Sequence, residues 1–168
     1  MINYKVMFHH SINKATSSDD WESGRCYLEP LMPFISGKTI NDPFYSTGRV
    51  KIIWKELGID IVHDRKDFFT LTEIKEDIIV TNIPFSIKNR VLTRLFELDK
   101  PFITICPINT LALIKTQRIV KDKYIQIIIP NFYKGFINTD TGIQTKCPPF
   151  YVIYLCYKMK LSRDIIYL

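Results

Sequence analysis

The sequence is poor in the residues that mark the special protein classes. Six glycines and nine prolines in 168 residues exclude collagen-like and low-complexity chains. No apolar run reaches the ~18 to 20 residues that a bilayer span requires, so no membrane association is expected. The opening residues, MINYKVMFHHSINKATSSDD, lack an apolar stretch followed by small residues, and no secretory signal is expected. The three histidines are His9, His10 and His63, and Cys26, Cys106, Cys147 and Cys156 form no CxxC pair. That spacing suits neither a zinc site nor a disulfide scaffold. No metal is expected, and the cysteines read as buried free thiols in a reducing compartment.

What is present describes a folded chain. Apolar residues make up 46% and aromatics 13%, above the profile of disordered sequences. The length suits one domain able to bury a core. Residues 1–18 are polar and aperiodic and read as an N-terminal arm, with a single domain over 19–168. Charge is unevenly placed. Residues 1–84 carry 10 Lys and Arg against 12 Asp and Glu, whereas residues 85–168 carry 13 against 5. The basic half is suited to meet a polyanion.

Periodicity predicts strands over 38–41, 59–63, 77–82, 101–106, 124–130 and 150–158. It predicts helices through Cys26, Leu28 and Leu31 (capped by Asp19 or Asp20), over 49–57 ending at Gly58, through Ile87, Val91, Leu95 and Leu98, and over 109–119. Alternating strands and helices argue for an α/β fold with a mostly parallel sheet covered on both faces. Such sheets bind ligands beyond the carboxyl ends of their strands.

Three strand ends carry candidate chemistry. Asp42-Pro43-Phe44-Tyr45-Ser46-Thr47-Gly48 follows the first strand, an acid leading into a tight turn where backbone can approach a cofactor. His63-Asp64 follows the second, and a carboxylate there can accept the hydroxyls of a ribose. Asp67-Phe68 then offers a second carboxylate and a flat apolar wall for an adenine ring. Asn82-Ile83-Pro84-Phe85 follows the third. Each acid alone also reads as a helix cap; the signal is their order between residues 42 and 85.

That series resembles the signature of S-adenosylmethionine-dependent methyltransferases acting on the N6 amino group of adenine. Their first motif reads D-P-F-x-G-x-G, with Ser46 here at its first glycine. Their catalytic motif has the variant N-I/L-P-Y/F in the rRNA adenine dimethyltransferases, matched by Asn82, Ile83, Pro84 and Phe85. Residues 18–22, with Trp21, are similar to the D-x-W-x-T-P entry segment of phage-type DNA adenine methyltransferases, with Ser23-Gly24 in place of its T-P. The resemblance spans roughly residues 19–110.

The resemblance implies a Rossmann-like class I methyltransferase fold with a seven-stranded sheet, and S-adenosylmethionine as cofactor. It implies that Trp21 lies along the cofactor, that Asp42, Pro43, Phe44, Tyr45 and Gly48 shape its methionine end, that Asp64 holds the ribose, and that Asp67 and Phe68 frame the adenine. It also assigns the catalytic loop. An adenine amino group is a weak nucleophile because its lone pair is delocalised into the ring. The Asn82 side-chain oxygen and the Ile83 carbonyl would accept its hydrogens, Pro84 would stiffen the turn, and Phe85 would stack on the base. The methyl donor arrives activated, so positioning and electrostatics carry the reaction.

Lys88, Arg90, Lys115, Arg118, Lys121 and Lys123 read either as a phosphate-binding rim at the pocket mouth or as solvated helix faces. Tyr124, Phe132, Tyr133 and Phe136 are candidate stacking surfaces or core. The expected partner is DNA or RNA, with target recognition left to loops, the arm, or another subunit in a homo- or hetero-oligomer. A cytoplasmic protein of viral or mobile-element origin fits the composition and entry segment. Two rivals stand beside this reading: a catalytically degenerate fold that binds nucleic acid or a partner, and a methyltransferase acting on a protein glutamine amide.

Overall fold

The computed structural model describes residues 19–147 and 150–168; the arm expected over 1–18 lies outside the described residues. The elements run β1 (Trp21–Glu22), α1 (Arg25–Leu28), α2 (Met32–Ile35), β2 (Ile40–Asn41), α3 (Arg49–Glu56), β3 (Ile61–Val62), β4 (Ile78–Asn82), α4 (Lys88–Glu97), β5 (Phe102–Pro107), α5 (Ile114–Val120), β6 (Ile125–Ile129), β7 (Ile137–Asn138), β8 (Val152–Tyr157) and β9 (Ile165–Tyr167).

Seven strands form one sheet in the order β3-β2-β4-β5-β8-β6-β9, and β1 pairs with β7 in a separate two-stranded ribbon. Only β8 runs against its neighbours; the other pairings are parallel. The sheet is thus α/β and mostly parallel, as expected. Its seventh strand is β9, too short and too exposed to show a pattern in sequence.

The sheet divides the core in two because side chains alternate along a strand. Ile78, Val80, Ile103, Ile105, Tyr154 and Cys156 face α1, α2 and α3, where Tyr27, Leu31, Ile35, Ile53 and Trp54 are buried. Ile79, Phe102, Ile153, Leu155 and Tyr157 face α4, which buries Val91, Leu92, Leu95 and Phe96. Each fully buried aliphatic side chain contributes roughly 1.5–3 kcal/mol, so helices are pinned to both faces. β5 and β8 are buried along their whole length, which explains their near-continuous apolar runs.

Local chemistry changes two expectations. The helix anticipated through Cys26 and Leu31 is split, with a 3-10 turn over Glu29–Leu31 and proline in the first turn of both that turn and α2. A ring without an N–H restarts a helix more easily than it continues one. Nor does Asp19 or Asp20 cap α1, whose N-cap is Gly24. Asp19 instead accepts from Ser86, its main-chain N–H at 3.1 Å and its hydroxyl. The helix expected over 109–119 begins as a 3-10 turn, Ile108–Ala112, before α5.

The cysteines divide. Cys106 and Cys156 are buried, and burial pushes each thiol up to about 12. Cys26 is half-buried and Cys147 is exposed, which corrects the expectation that all four lie inside.

Candidate active site

The carboxyl ends of β2, β3 and β4 converge on Asp42. This residue is only 4% exposed; Oδ1 accepts from the Thr81 hydroxyl at 2.6 Å and from the Phe44 N–H at 3.2 Å. Burial pushes this carboxyl above its ordinary range, with His63 opposing the shift. His63, 1% exposed, lies with Nδ1 2.8 Å from the Asp42 carbonyl oxygen and Nε2 3.1 Å from that of Tyr45. Its Nδ1 is also 3.7 Å from the Asp42 carboxylate. One imidazole thereby ties both ends of the Asp42–Tyr45 turn. The Tyr45 ring stacks on it at 4.9 Å, with the Arg65 guanidinium 4.7 Å from the Tyr45 centroid.

The turn ends at Gly48, whose φ of +85° forms the N-cap of α3. A Cβ there would stand 2.6 Å from the Tyr45 hydroxyl, so only glycine fits. Ser46 also has a positive φ, +44°, a strained conformation for a residue with a side chain.

On one side of Asp42 is a cavity of about 40 Å³, lined by Asp19, Trp21, Glu22, Ser23, Asp42, Phe44, Ser46, Val50 and the loop Asn82, Ile83, Pro84 and Phe85. Three carboxylates and no lysine or arginine line it, a setting that favours a cation. Glu22 is buried and accepts from the Thr47 N–H and hydroxyl at 2.7 Å, holding β1 against the turn. The Asn82 Oδ1 is buried without a hydrogen-bond partner. Such an orphan acceptor is costly and calls for an explanation. On the other side lies a larger hollow of about 270 Å³, lined by Asn41, Asp42, Pro43, Val62, Asp64, Lys66, Leu71, Glu73, Lys75 and Glu76. Asp42 lines both spaces.

A class I S-adenosylmethionine-dependent methyltransferase structure from Listeria monocytogenes superposes with a TM-score of 0.53 at 11% identity, covering 98% of this chain and 69% of that one. The fold is that of a class I methyltransferase. An O-methyltransferase from Thermotoga maritima is a more distant likeness, with a TM-score of 0.44 at 10% identity over 91% of this chain and 69% of that one. In sequence the chain is similar to the type II methyltransferase M.EcoRI of Escherichia coli, 28% identical over 109 residues. The match covers 60% of this chain and 33% of that protein, so the chain spans about a third of the relative's length. No protein-family model matches the chain.

Within the methyltransferase fold the sequence candidates separate. Trp21, Asp42, Phe44, Asn82, Ile83, Pro84 and Phe85 come together around the smaller cavity, while Pro43 and Asp64 meet Asp42 at the larger hollow. Tyr45 and Gly48 shape the turn rather than either lining. Asp67 and Phe68 depart from expectation. Asp67 caps a 3-10 turn by accepting from the Phe69 N–H at 2.9 Å, and Phe68 is core, 1% exposed and packed on Phe44 at 5.1 Å. Neither lines either of these two spaces.

The basic candidates also divide. Lys88 begins α4 beside the catalytic loop, its Nζ 3.2 Å from the Phe85 carbonyl oxygen. Lys115 opens α5, and Arg118 lies further along it, both exposed. Arg90 sits 3.8 Å over the Phe69 ring. Lys121 and Lys123 precede Ile125, which is level with Tyr157 and so with Phe102 at the start of β5. They occupy the end of the sheet opposite Asn82, which removes them from any rim around the cavity.

Glu22, Thr81 and His63 are the polar residues that sequence reading left out. Glu22 and Thr81 each sit next to a candidate, but neither type at that position marks chemistry. His63 was passed over because no second ligand stood near it; its partners are main-chain oxygens, which no side-chain pattern reports. Among the described residues no group of three or more His, Cys, Asp or Glu side chains is placed to hold a metal. No helix among them is long and apolar enough to cross a membrane.

Proposed function

We propose that this chain binds S-adenosylmethionine across Asp42 and transfers a methyl group to the N6 amino group of adenine in DNA or RNA. The observation that carries the reading is the buried, unpartnered Asn82 Oδ1 at an acidic cavity. An acceptor left unsatisfied inside a protein is explained by a donor that arrives with the substrate. The likeness to M.EcoRI over 109 residues and the methyltransferase fold support the same conclusion.

When bound, the cofactor supplies a methyl group activated on a positively charged sulfur. The chain does the rest. Asp19, Glu22 and Asp42 line the space that would take that cation. Asp64 reaches the ribose from the larger hollow. Asn82 Oδ1 and the Ile83 carbonyl oxygen accept the two amino hydrogens, drawing the nitrogen lone pair out of the ring. Pro84, at φ −60°, fixes the turn, and Phe85 offers its ring to the base. Lys88 donates to the Phe85 carbonyl oxygen, holding the end of the loop.

The smaller cavity has room for only about one to three waters, so Phe44, Ser46 or Trp21 must shift as the methionine end enters. That tightness, with Ser46 in a strained conformation, favours the second reading, a methyltransferase fold retained as a binding module. Calorimetric titration with S-adenosylmethionine and with its demethylated product separates the two. Micromolar binding of both, followed by movement of a labelled methyl group to adenine in nucleic acid, is the expected result. Absence of binding to either overturns the enzymatic reading, and label found on protein glutamine would overturn the choice of acceptor.

A further inference from the structure

The second half of the chain holds a surface that the catalytic loop does not use. Tyr133 and Tyr151 are 41% and 68% exposed, and their rings lie 4.8 Å apart with a tilt of 34°. The other aromatics of the same segments turn inward: Phe136 is buried, and Phe132 and Phe150 pack against the core. Two neighbouring aromatic rings that both keep exposed surface offer faces on which a planar group can stack.

Their position in the fold is specific. Tyr151 directly precedes β8, whose Val152 pairs with Pro107 at the carboxyl end of β5. Tyr133 follows the carboxyl end of β6. Both therefore stand on the rim that carries Asn82. Tyr151 also directly follows Phe150, whose ring lies 5.3 Å from Phe85 in the catalytic loop. Lys134 and Lys146, both exposed, belong to the two segments that carry the tyrosines, in a half of the chain where basic residues outnumber acidic ones 13 to 5.

We propose that Tyr133 and Tyr151 form a stacking platform for a nucleobase neighbouring the target in a single-stranded nucleic acid. The inference rests on the adenine reading for its substrate and adds the strand state. Aromatic faces take up base faces, which a duplex keeps stacked inside and a single strand presents freely. The lysines alongside meet the phosphates without regard to sequence. One base on Phe85 and its neighbour on the tyrosine pair place the strand along the rim.

The test is fluorescence anisotropy with labelled oligonucleotides of about ten residues, single-stranded DNA, single-stranded RNA and the matching duplex. It compares the full chain with Tyr133→Ala, Tyr151→Ala and Tyr133→Phe. Both tyrosines are on the surface, so the variants keep the fold. Single strands are expected to bind more tightly than duplex, each alanine variant to lose about tenfold or more, and Tyr133→Phe to bind as the parent does. S-adenosylmethionine affinity, measured in parallel by calorimetry, is expected to be unchanged throughout. Alanine variants that bind like the parent, duplex bound as tightly as single strands, or no nucleic-acid binding by a chain that still binds the cofactor would each overturn the platform while leaving the cofactor site standing. Tyrosine-dependent binding of single strands without cofactor binding would uphold the platform and sink the enzymatic reading.

Discussion

The Nδ1 of His63 lies 2.8 Å from the main-chain oxygen of Asp42 and 3.7 Å from the carboxylate of the same residue. A single buried ring thus holds both the backbone of the turn and the charge that the turn presents. Without His63 the Asp42 carboxylate would be buried with only a hydroxyl and one amide to stabilise it, an expensive arrangement.

Burial still wins at Asp42, holding its carboxyl above the ordinary value. Between that ordinary value and the raised one, the folded chain binds a proton that the unfolded chain has released. The group's contribution is therefore most favourable at low pH and is lost as pH rises. Asp42→Asn should remove that fall, so urea unfolding between about pH 4 and about pH 7 will show a flatter profile for the variant. Its affinity for S-adenosylmethionine should drop at the same time. Coincident stability profiles would show that Asp42 titrates normally in the folded chain.

Asn82→Ala separates chemistry from binding. The substitution removes an acceptor that the protein itself leaves unpaired, so stability should change by less than about 1 kcal/mol. Methyl transfer should fall by at least about a hundredfold, the usual loss when one preorganised polar contact is removed, with cofactor affinity within about twofold of the parent. Single-turnover assays beside calorimetry read both. Normal turnover would rule out the assigned role.

The turn between Asp42 and α3 offers a matched pair of substitutions. Gly48→Ala forces a Cβ to 2.6 Å from the Tyr45 hydroxyl at a positive φ, which should cost at least ~1–2 kcal/mol and dislodge Tyr45 from His63. Ser46→Gly relieves φ +44° and clears a side chain from the cavity. It should leave stability nearly unchanged, since relief of strain is offset by unfolded-chain entropy, and it should tighten cofactor binding. Thermal melts and calorimetry decide; weaker cofactor binding by Ser46→Gly would mean that the serine hydroxyl is itself a contact.

Much of the fold was legible because its signals are local and periodic. The mostly apolar runs at Ile78–Asn82 and Phe102–Pro107, and the 3.6-residue spacing in Lys88–Glu97, record burial against a sheet. β1, β7 and β9 were not legible in sequence, since none of the three is a fully buried strand whose apolar run marks it. The order Asp42, Asp64, Asn82-Ile83-Pro84-Phe85 was legible too, since each group sits at or just beyond the carboxyl end of a strand.

The sequence by itself determined the α/β class, the sites of the strand ends and the residue types waiting there. Only the tertiary structure decided which of those residues face a common space. Phe68 lies beyond a strand end in a short 3-10 turn, yet it is buried in the core. Lys123 is close in the chain to Lys115, yet α5 carries it toward the far end of the sheet. His63 gained its partners only when β3 came to lie beside β2. Which way a side chain points, and what lies across a sheet from it, depends on contacts between residues far apart in the chain, and those are set by packing rather than by any local pattern.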